Sequence, residues 1–201
     1  MDFTLTPVSQ LDQAGLARLA RLHSAVMHTL LADLGAPLVL RYYEVAQADS
    51  AVIGLCAVSE SGDLLGWVMG SPAPTRLNAR LRQPLAWFAI QLIRLVFTHP
   101  LVLVELIRSV FSTNEANNLQ PGQIELTYIG IATQAQGRGI GKAILTAFID
   151  QARSAGFTSI ALSVETDNLP AITLYTKCAF QITKTFHEGR FMRHRMEYPL
   201  V

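Results

Sequence analysis

A glycine-rich segment has the residue types and the spacing of a phosphate-binding turn. It reads Gln136-Gly137-Arg138-Gly139-Ile140-Gly141-Lys142. A strand-like run that ends at Ile131 precedes it, and a helix-like run from Ala143 to Ala152 follows it. Glycines let backbone N–H groups approach an anion closely, and the free amides at the start of a helix attract negative charge. With two cationic side chains beside them, these residues predict a phosphate site; the alternative is a tight turn that binds nothing.

The spacing of the glycines excludes two common nucleotide-binding loops. A dinucleotide-binding loop needs the pattern G-x-G-x-x-G, whereas this segment has G-x-G-x-G. A nucleoside triphosphate loop needs Ser or Thr after its lysine, and Lys142 is followed by Ala143. Both classes of site are therefore set aside.

A third loop does match. The spacing Gln136-x-x-Gly139-x-Gly141 resembles the Q/R-x-x-G-x-G/A signature with which the Gcn5-related N-acetyltransferases (GNAT) bind the pyrophosphate of acetyl-CoA. Further along the chain, the stretch from Asn168 to Phe180 resembles the N-x-x-A-x-x-L-Y-x-K-x-G-F element of the same superfamily. The resemblance implies that acetyl-CoA is the acetyl donor.

The sequence departs from the family pattern at two positions and in one segment. Thr133 stands where the family often has proline, and Ala179 stands where it usually has glycine. Alanine is strained if its φ must be positive. The match is close over residues 123–186 and looser over 1–71, whereas 72–122 does not fit the pattern.

The resemblance implies the GNAT acyl-CoA N-acyltransferase fold, an α/β (mixed α+β) domain whose central mixed sheet is splayed between strands 4 and 5. Hydrophobic periodicity alone predicts only a mixed α and β domain. We expect a single domain over residues 1–201, with a two-helix insertion of about residues 72–122 between strands 3 and 4. The predicted strands cover residues 2–8, 51–58, 64–70, 123–132, 158–164, 180–186 and 191–198. The predicted helices cover residues 11–34, 38–46, 79–97, 101–111, 139–155 and 168–178.

Glu125 is the predicted general base. The family reaction moves acetyl directly from acetyl-CoA to a primary amine, and the amine must lose a proton. The segment from Glu125 to Ile131 aligns without a gap with E-I-V-F-C-A-I, which carries the catalytic glutamate of a histone acetyltransferase of this superfamily. Period-two counting places Glu125 on the same strand face as Thr127, Ile129 and Ile131. The alternatives are a solvent-facing carboxylate at a strand end and deprotonation through water.

The resemblance also implies the acid and the cofactor contacts. Tyr175 is predicted to protonate the departing thiolate; the alternative is a core aromatic residue. The backbone of Ile129 and Ile131 is expected to bind pantetheine, with Gly130 allowing a bulge there. Asn168 is expected to contact the cofactor, to cap a helix, or both. The predicted cofactor-binding residues are Ile129, Gly130, Ile131, Gln136, Gly137, Arg138, Gly139, Ile140, Gly141, Lys142 and Asn168.

The insertion contains two apolar helices with several interpretations. Arg94, Glu105 and Arg108 interrupt the apolar run and Pro100 breaks it, which disfavours a transmembrane helix. The helices could wall the acceptor pocket, form the interface of a homodimer, or make weak contact with a membrane surface. A membrane-surface acyltransferase is therefore one rival function. A coenzyme A-binding sensor that has lost its chemistry is the other.

Composition limits the partners. The net charge of +1 gives no field that would recruit nucleic acid. No metal is predicted, because Cys56 and Cys178 lie far apart and His23 and His28 do not have helical i,i+4 spacing. The N-terminus lacks the features of a signal peptide, so a cytoplasmic location is expected. The acceptor is expected to be a small-molecule amine or a peptide. Its walls are expected in the first helices, near His23, Arg41, Tyr42 and Tyr43.

Overall fold

The computed structural model of the protein describes residues 2–27, 29–98, 119–188 and 191–200. These residues contain a seven-stranded mixed sheet with the strand order β1-β2-β3-β4-β5-β7-β6. The strands are β1 (Phe3–Pro7), β2 (Ile53–Ser59), β3 (Leu64–Ser71), β4 (Gln123–Ile131), β5 (Ser159–Glu165), β6 (Gln181–Glu188) and β7 (Phe191–Pro199). The helices are α1 (Gln13–Val26), α2 (Leu30–Asp33), α3 (Ala36–Gln47), α4 (Pro74–Leu81), α5 (Leu85–Thr98), α6 (Ile140–Ser154) and α7 (Leu169–Lys177). The predicted mixed α and β fold class is confirmed.

Helices cover both faces of the sheet. On the front face, α1 and α3 pack with apolar side chains of β2 and β3, among them Trp67 and Met69. On the back face, α6 packs through Ile144 and Phe148 against Leu126 and other buried residues. Both cores consist of side chains at helical or alternating spacing, which is why periodicity predicts the elements.

The long helix predicted over residues 11–34 is wrong, because the structure divides it. Asp12 caps α1 by accepting a hydrogen bond from the Gly15 N–H at 2.7 Å. Met27 then adopts an extended conformation, and Thr29 caps α2 by accepting from the Ala32 N–H. Threonine at a helix start competes for backbone donors, so it ends one helix and begins another.

The first insertion helix is likewise divided, into α4 and α5. Pro84 follows Gln83 at the break, and a proline disfavours the helical conformation of the residue before it. The predicted second insertion helix, over 101–111, lies outside the described residues. Within the part of the chain that the structure describes, no helix is both long and apolar enough to cross a bilayer.

The sheet opens between β4 and β5. These two strands form a parallel ladder of three residue pairs, from Gln123 opposite Ser159 to Glu125 opposite Ala161. Beyond that ladder, β4 continues to pair with β3, and β5 continues to pair with β7. The facing edges of β4 and β5 therefore remain available for a ligand, as the prediction of a splayed sheet requires.

Ala179 adopts a left-handed conformation after α7, with φ of 68°. A residue with a side chain pays roughly 1–2 kcal/mol for this conformation. The strain expected from the alanine at this family glycine position is therefore present.

Candidate active site

The backbone of β4 presents alternate residues to the opening. The Ala132 N–H donates to the Leu65 carbonyl of β3 at 2.9 Å. Because backbone groups alternate in direction along a strand, those of Ile129 and Ile131 point away from β3 and toward β5. The side chain of Gln136 donates to the Ile131 carbonyl at 3.3 Å, which agrees with that direction. Ile129 and Ile131 are the two residues whose backbone is predicted to bind pantetheine.

Gly130 is a glycine for a different reason from the one predicted. A Cβ atom at this position would lie 2.4 Å from the Trp67 ring, so a larger residue would displace that buried side chain. The bulge expected at Gly130 lies instead opposite Met69 and Gly70, where the register of β4 shifts. The predicted contact of Gly130 with the cofactor stays a prediction.

The glycine-rich turn exposes the start of α6. Gly137 and Gly139 have φ of 74° and 77°, a conformation that favours glycine. The first helical hydrogen bond runs from the Ala143 N–H to the Gly139 carbonyl at 3.1 Å. The N–H groups of residues 140–142 therefore have no partner within the helix, and Gly139 has no side chain to cap them.

Two cationic side chains and two neighbouring elements surround this helix start. Arg138 and Lys142 are exposed beside it. A Cβ atom at Gly141 would lie 3.4 Å from Leu174 of α7 and 3.7 Å from Ile131 of β4. The turn thus lies at the end of β4, where the opening reaches the surface. The predicted residues from Gln136 to Lys142 are contiguous here and suit an anionic group.

Glu125 lies on the front face of the sheet, which corrects the predicted face. Ile124, Leu126, Ile129 and Ile131 all pack toward the back-face core. The bulge adds one residue between Leu126 and Tyr128 relative to β3. A one-residue insertion reverses the alternation beyond it. Glu125 therefore shares its face with Tyr128 and Gly130 rather than with the two isoleucines.

The Glu125 carboxylate is buried and paired with Arg195 of β7. The Arg195 Nη1 donates to Oε1 at 2.8 Å. The same nitrogen lies 2.7 Å from Oε2, but among the described residues Oε2 accepts no well-aligned hydrogen bond. Both oxygens therefore lie within ion-pair distance of the guanidinium. The alternative of a solvent-facing carboxylate is excluded, because Glu125 is only 8% exposed.

Burial is the largest influence on the pKa of Glu125, and it raises that pKa. Loss of solvation disfavours the charged carboxylate, and the Arg195 guanidinium opposes this effect only in part. Together with the carboxylates of Glu188 and Glu197, burial raises the pKa of Glu125 to about 7. A group with this pKa exchanges a proton readily near neutral pH.

Tyr175 is also buried, on α7, which contacts the glycine-rich turn through Leu174. Its ring packs 5.7 Å from that of Phe180. Burial raises the pKa of the Tyr175 hydroxyl well above its ordinary value, so the group stays protonated. Asn168 caps α7 by accepting from the Ala171 N–H at 3.2 Å, so its capping role is confirmed.

The predicted acceptor walls divide into core and surface. His23, Tyr42 and Tyr43 are buried, and the His23 Nδ1 lies 2.8 Å from the Tyr43 hydroxyl. Burial lowers the pKa of His23 to about 4, so it is a neutral core histidine at pH 7. Arg41 pairs with Glu44 at 3.4 Å on the outer side of α3. Half-buried Tyr128 connects this cluster to the opening, with its ring 4.8 Å from that of His23.

Sequence reasoning missed Tyr128, Ser163 and Arg195. Ser163 accepts from the Arg195 Nη1 at 3.2 Å, between Arg195 and the opening. The sequence pattern that could have indicated Arg195 is the alternation of polar and apolar residues in β7. There Arg193, Arg195 and Glu197 alternate with residues of the back face. Polar residues on one face of a closing hairpin are typical of an exposed surface, so nothing local indicated a buried ion pair. In the described residues, no group of three or more His, Cys, Asp and Glu side chains is arranged to hold a metal ion.

An opened sheet, a helix start without a side-chain cap at its mouth and a buried carboxyl group with a pKa of about 7 form a candidate site for a phosphate-bearing ligand. The model of the acetyltransferase (GNAT) family matches residues 24–180. The chain belongs to the acetyltransferase (GNAT) family, so the predicted family is confirmed.

Two curated relatives of the chain are mycothiol acetyltransferases. A mycothiol acetyltransferase from Mycobacteroides abscessus is 29% identical over 178 residues, which cover 85% of this chain and 56% of that protein. The mycothiol acetyltransferase of Renibacterium salmoninarum is 45% identical over 56 residues, which cover 28% of this chain and 17% of that protein. The chain thus spans little more than half the length of the first of these relatives, and the match to the second is shorter.

Solved structures share the fold at low identity. The ribosomal-protein-S18-alanine N-acetyltransferase of Escherichia coli has a TM-score of 0.62 at 14% identity, covering 99% of this chain and 94% of that one. The structure of yncA from Salmonella typhimurium with its cofactor acetyl-CoA has a TM-score of 0.63 at 16% identity, covering 100% and 95%. The predicted GNAT fold is confirmed.

Proposed function

We propose that the protein transfers the acetyl group of acetyl-CoA directly to a primary amine, in a ternary complex without an acyl-enzyme. The amine nitrogen attacks the thioester carbonyl, a C–N bond forms, and the C–S bond breaks to release a thiolate. The observation that carries this proposal is Glu125, a buried carboxyl group with a pKa of about 7 at the apex of the opening.

The donor site follows from the glycine-rich turn. The pyrophosphate would accept hydrogen bonds from the N–H groups of residues 140–142, with Arg138 and Lys142 adding positive charge. Pantetheine would lie between β4 and β5, along the backbone groups of Ile129 and Ile131. One of these N–H groups would polarise the thioester carbonyl as charge develops on its oxygen.

Glu125 would take the proton of the acceptor amine. With its pKa near 7, the group is protonated below that pH and cannot act as a base there. Above pH 7 it is a carboxylate and can take the proton of the amine, directly or through a water molecule. Activity is therefore expected to fall as the pH drops through about 7.

Tyr175 would protonate the thiolate of coenzyme A. Its raised pKa keeps the hydroxyl protonated across the working range of pH, so a proton is available for the leaving group. Its helix contacts the glycine-rich turn, which supports its placement near the cofactor.

The acceptor is proposed to be a small-molecule amine or a peptide amine that enters from the front face. Tyr128 and the end of β4 lie there, opposite the side on which α6 packs. We also infer a cytoplasmic location, since Cys56 and Cys178 are both free thiols, which fits a reducing compartment.

The apolar outer face of α5 supports an association surface. Leu85, Ile90 and Ile93 are more than half exposed at 66%, 51% and 57%, whereas Trp87 and Phe88 pack on the front-face core. We infer that this face meets a second copy of the chain, with a membrane surface as the alternative.

The decisive experiment is Glu125→Gln, which keeps the shape of the side chain but removes its basicity. We expect turnover with a panel of amines to fall by about 10²–10⁴-fold, with the affinity for acetyl-CoA retained. The acidic limb of the rate profile near pH 7 should disappear. Coenzyme A release reports turnover, calorimetry reports binding, and Glu60→Gln in the exposed β2–β3 loop is the control. Full activity with an unchanged pH profile in Glu125→Gln would remove the base from the proposal.

A further inference from the structure

Arg195 reaches Glu125 from two strands away. It lies on β7 directly opposite Ser163 of β5, and Glu125 lies on β4 beyond that. All three side chains are on the front face, and Nη1 of Arg195 donates both to Ser163 and to Glu125. Arg195 is only 8% exposed, so this pair is shielded from solvent.

The position of the pair coincides with the apex of the opening. Glu125 and Ala161 form the last backbone pair between β4 and β5. The hydrogen bonds of Arg195 therefore join β4 to β5 and β7 at the point where their backbone pairing stops. A charge-assisted hydrogen bond at this point fixes both the strand and the side chain that it carries.

Both carboxylate oxygens lie beside the same guanidinium nitrogen. The Arg195 Nη1 donates to Oε1 at 2.8 Å and lies 2.7 Å from Oε2. The ion pair therefore restricts rotation of the carboxylate and fixes its position at the apex of the opening.

We propose that Arg195 is a positioning residue for acetyl transfer, which holds the carboxylate of Glu125 at the apex of the opening, where it would take the proton of the acceptor amine. This inference rests on the proposed role of Glu125 as the base. It assigns to Arg195 a second effect, which is to keep that base ionised at a lower pH than its burial alone would allow.

The charges around Glu125 give the sign of this effect. Arg195 lowers the pKa of Glu125, while Glu197 of β7 and Glu188 of β6 raise it. Arg193 contacts Glu165 and Glu188 on the same face, and His23 of α1 is neutral at pH 7. Removal of the Arg195 charge should therefore move the acidic limb of activity to higher pH.

The test compares neutral and cationic replacements of Arg195. In Arg195→Met and Arg195→Gln, we expect the acidic limb of kcat/KM to move up by about one pH unit or more. From a pKa of about 7, the loss at pH 6.5 relative to the plateau should then grow from about fourfold in the wild type to about thirtyfold or more. Arg195→Lys keeps the charge and should restore most of the profile. Arg153→Met, which removes an exposed pair with Asp150, is the matched control and should leave the limb in place.

A second measurement does not depend on activity. Titration of ¹³C-labelled glutamate by NMR, with the Glu125 signal assigned by its loss in Glu125→Gln, should show the same upward shift in the two neutral variants. A merely structural arginine would lower the melting temperature and turnover at every pH without moving the limb or the titration, and that result would overturn the inference. An inactive Glu125→Gln with an unshifted Arg195 series refutes the inference alone, whereas a fully active Glu125→Gln refutes the base itself.

Discussion

Gly139→Asp tests the phosphate site at the start of α6. Gly139 has φ of 77° and nothing within 4 Å of an added Cβ atom, so a side chain meets backbone strain but no clash. The strain is roughly 1–2 kcal/mol. A carboxylate near the helix start recovers about 0.3–1 kcal/mol from the helix dipole, so the variant should fold.

The effect on binding follows from charge. Two unit charges about 5 Å apart at an effective dielectric of about 20 repel by about 3 kcal/mol. Salt and solvent at this exposed turn reduce that to about 1–3 kcal/mol. We therefore expect the Kd for coenzyme A to rise by roughly 5–150-fold.

The same helix supplies the control. Gly156 follows the other end of α6 with φ of 82° and equally open surroundings, so Gly156→Asp carries the same charge and comparable strain. Calorimetry with coenzyme A should show near wild-type affinity for Gly156→Asp, and thermal unfolding should show that both variants fold. Equal affinity of the two aspartate variants would refute the assignment of the phosphate site.

Two further predictions concern the acid and α5. Tyr175→Phe should slow acetyl transfer by about 10–100-fold without unfolding the protein, with the greatest loss for thioesters whose thiol is a poor leaving group. Single-turnover kinetics measure the rate of transfer and circular dichroism measures folding, and an unchanged rate would leave Tyr175 as a core residue. Ile90→Asp, on the exposed face of α5, should convert a dimer into a monomer in light scattering, while flotation of the wild type with anionic liposomes would favour the membrane alternative.

The local conformation of the glycine-rich turn was the part of the candidate site that could be predicted from the sequence. The glycine-rich turn works through its own backbone, so Gly139 and its neighbours reveal it without knowledge of distant residues. The strands were also predictable, since their apolar residues pack on helices at regular spacing. The roles of these residues toward a cofactor stay predictions.

The face of Glu125 could not be predicted, because one residue changes it. The bulge in β4 adds a residue at Thr127, whose hydroxyl donates to the Met69 carbonyl at 3.0 Å. Threonine is common in regular strands, so the residue type of Thr127 does not reveal the bulge. The partner of Glu125 was equally hidden, because Arg195 lies 70 residues later in the chain. Contacts across that separation depend on tertiary structure, and no periodicity encodes them.

The short ladder between β4 and β5 also bears on association between molecules. An open sheet exposes unpaired backbone along its two outer strands, and such edges invite another chain to pair. This sheet has two more such edges in its interior, beyond Glu125 and Ala161. The edges of β4 and β5 diverge from a shared apex, so a chain that pairs with the edge of β4 must also fit beside the edge of β5. A narrow extended molecule with amide groups suits that space better than a polypeptide strand with side chains. The protein can thus keep edges open for a small molecule without offering them to its neighbours.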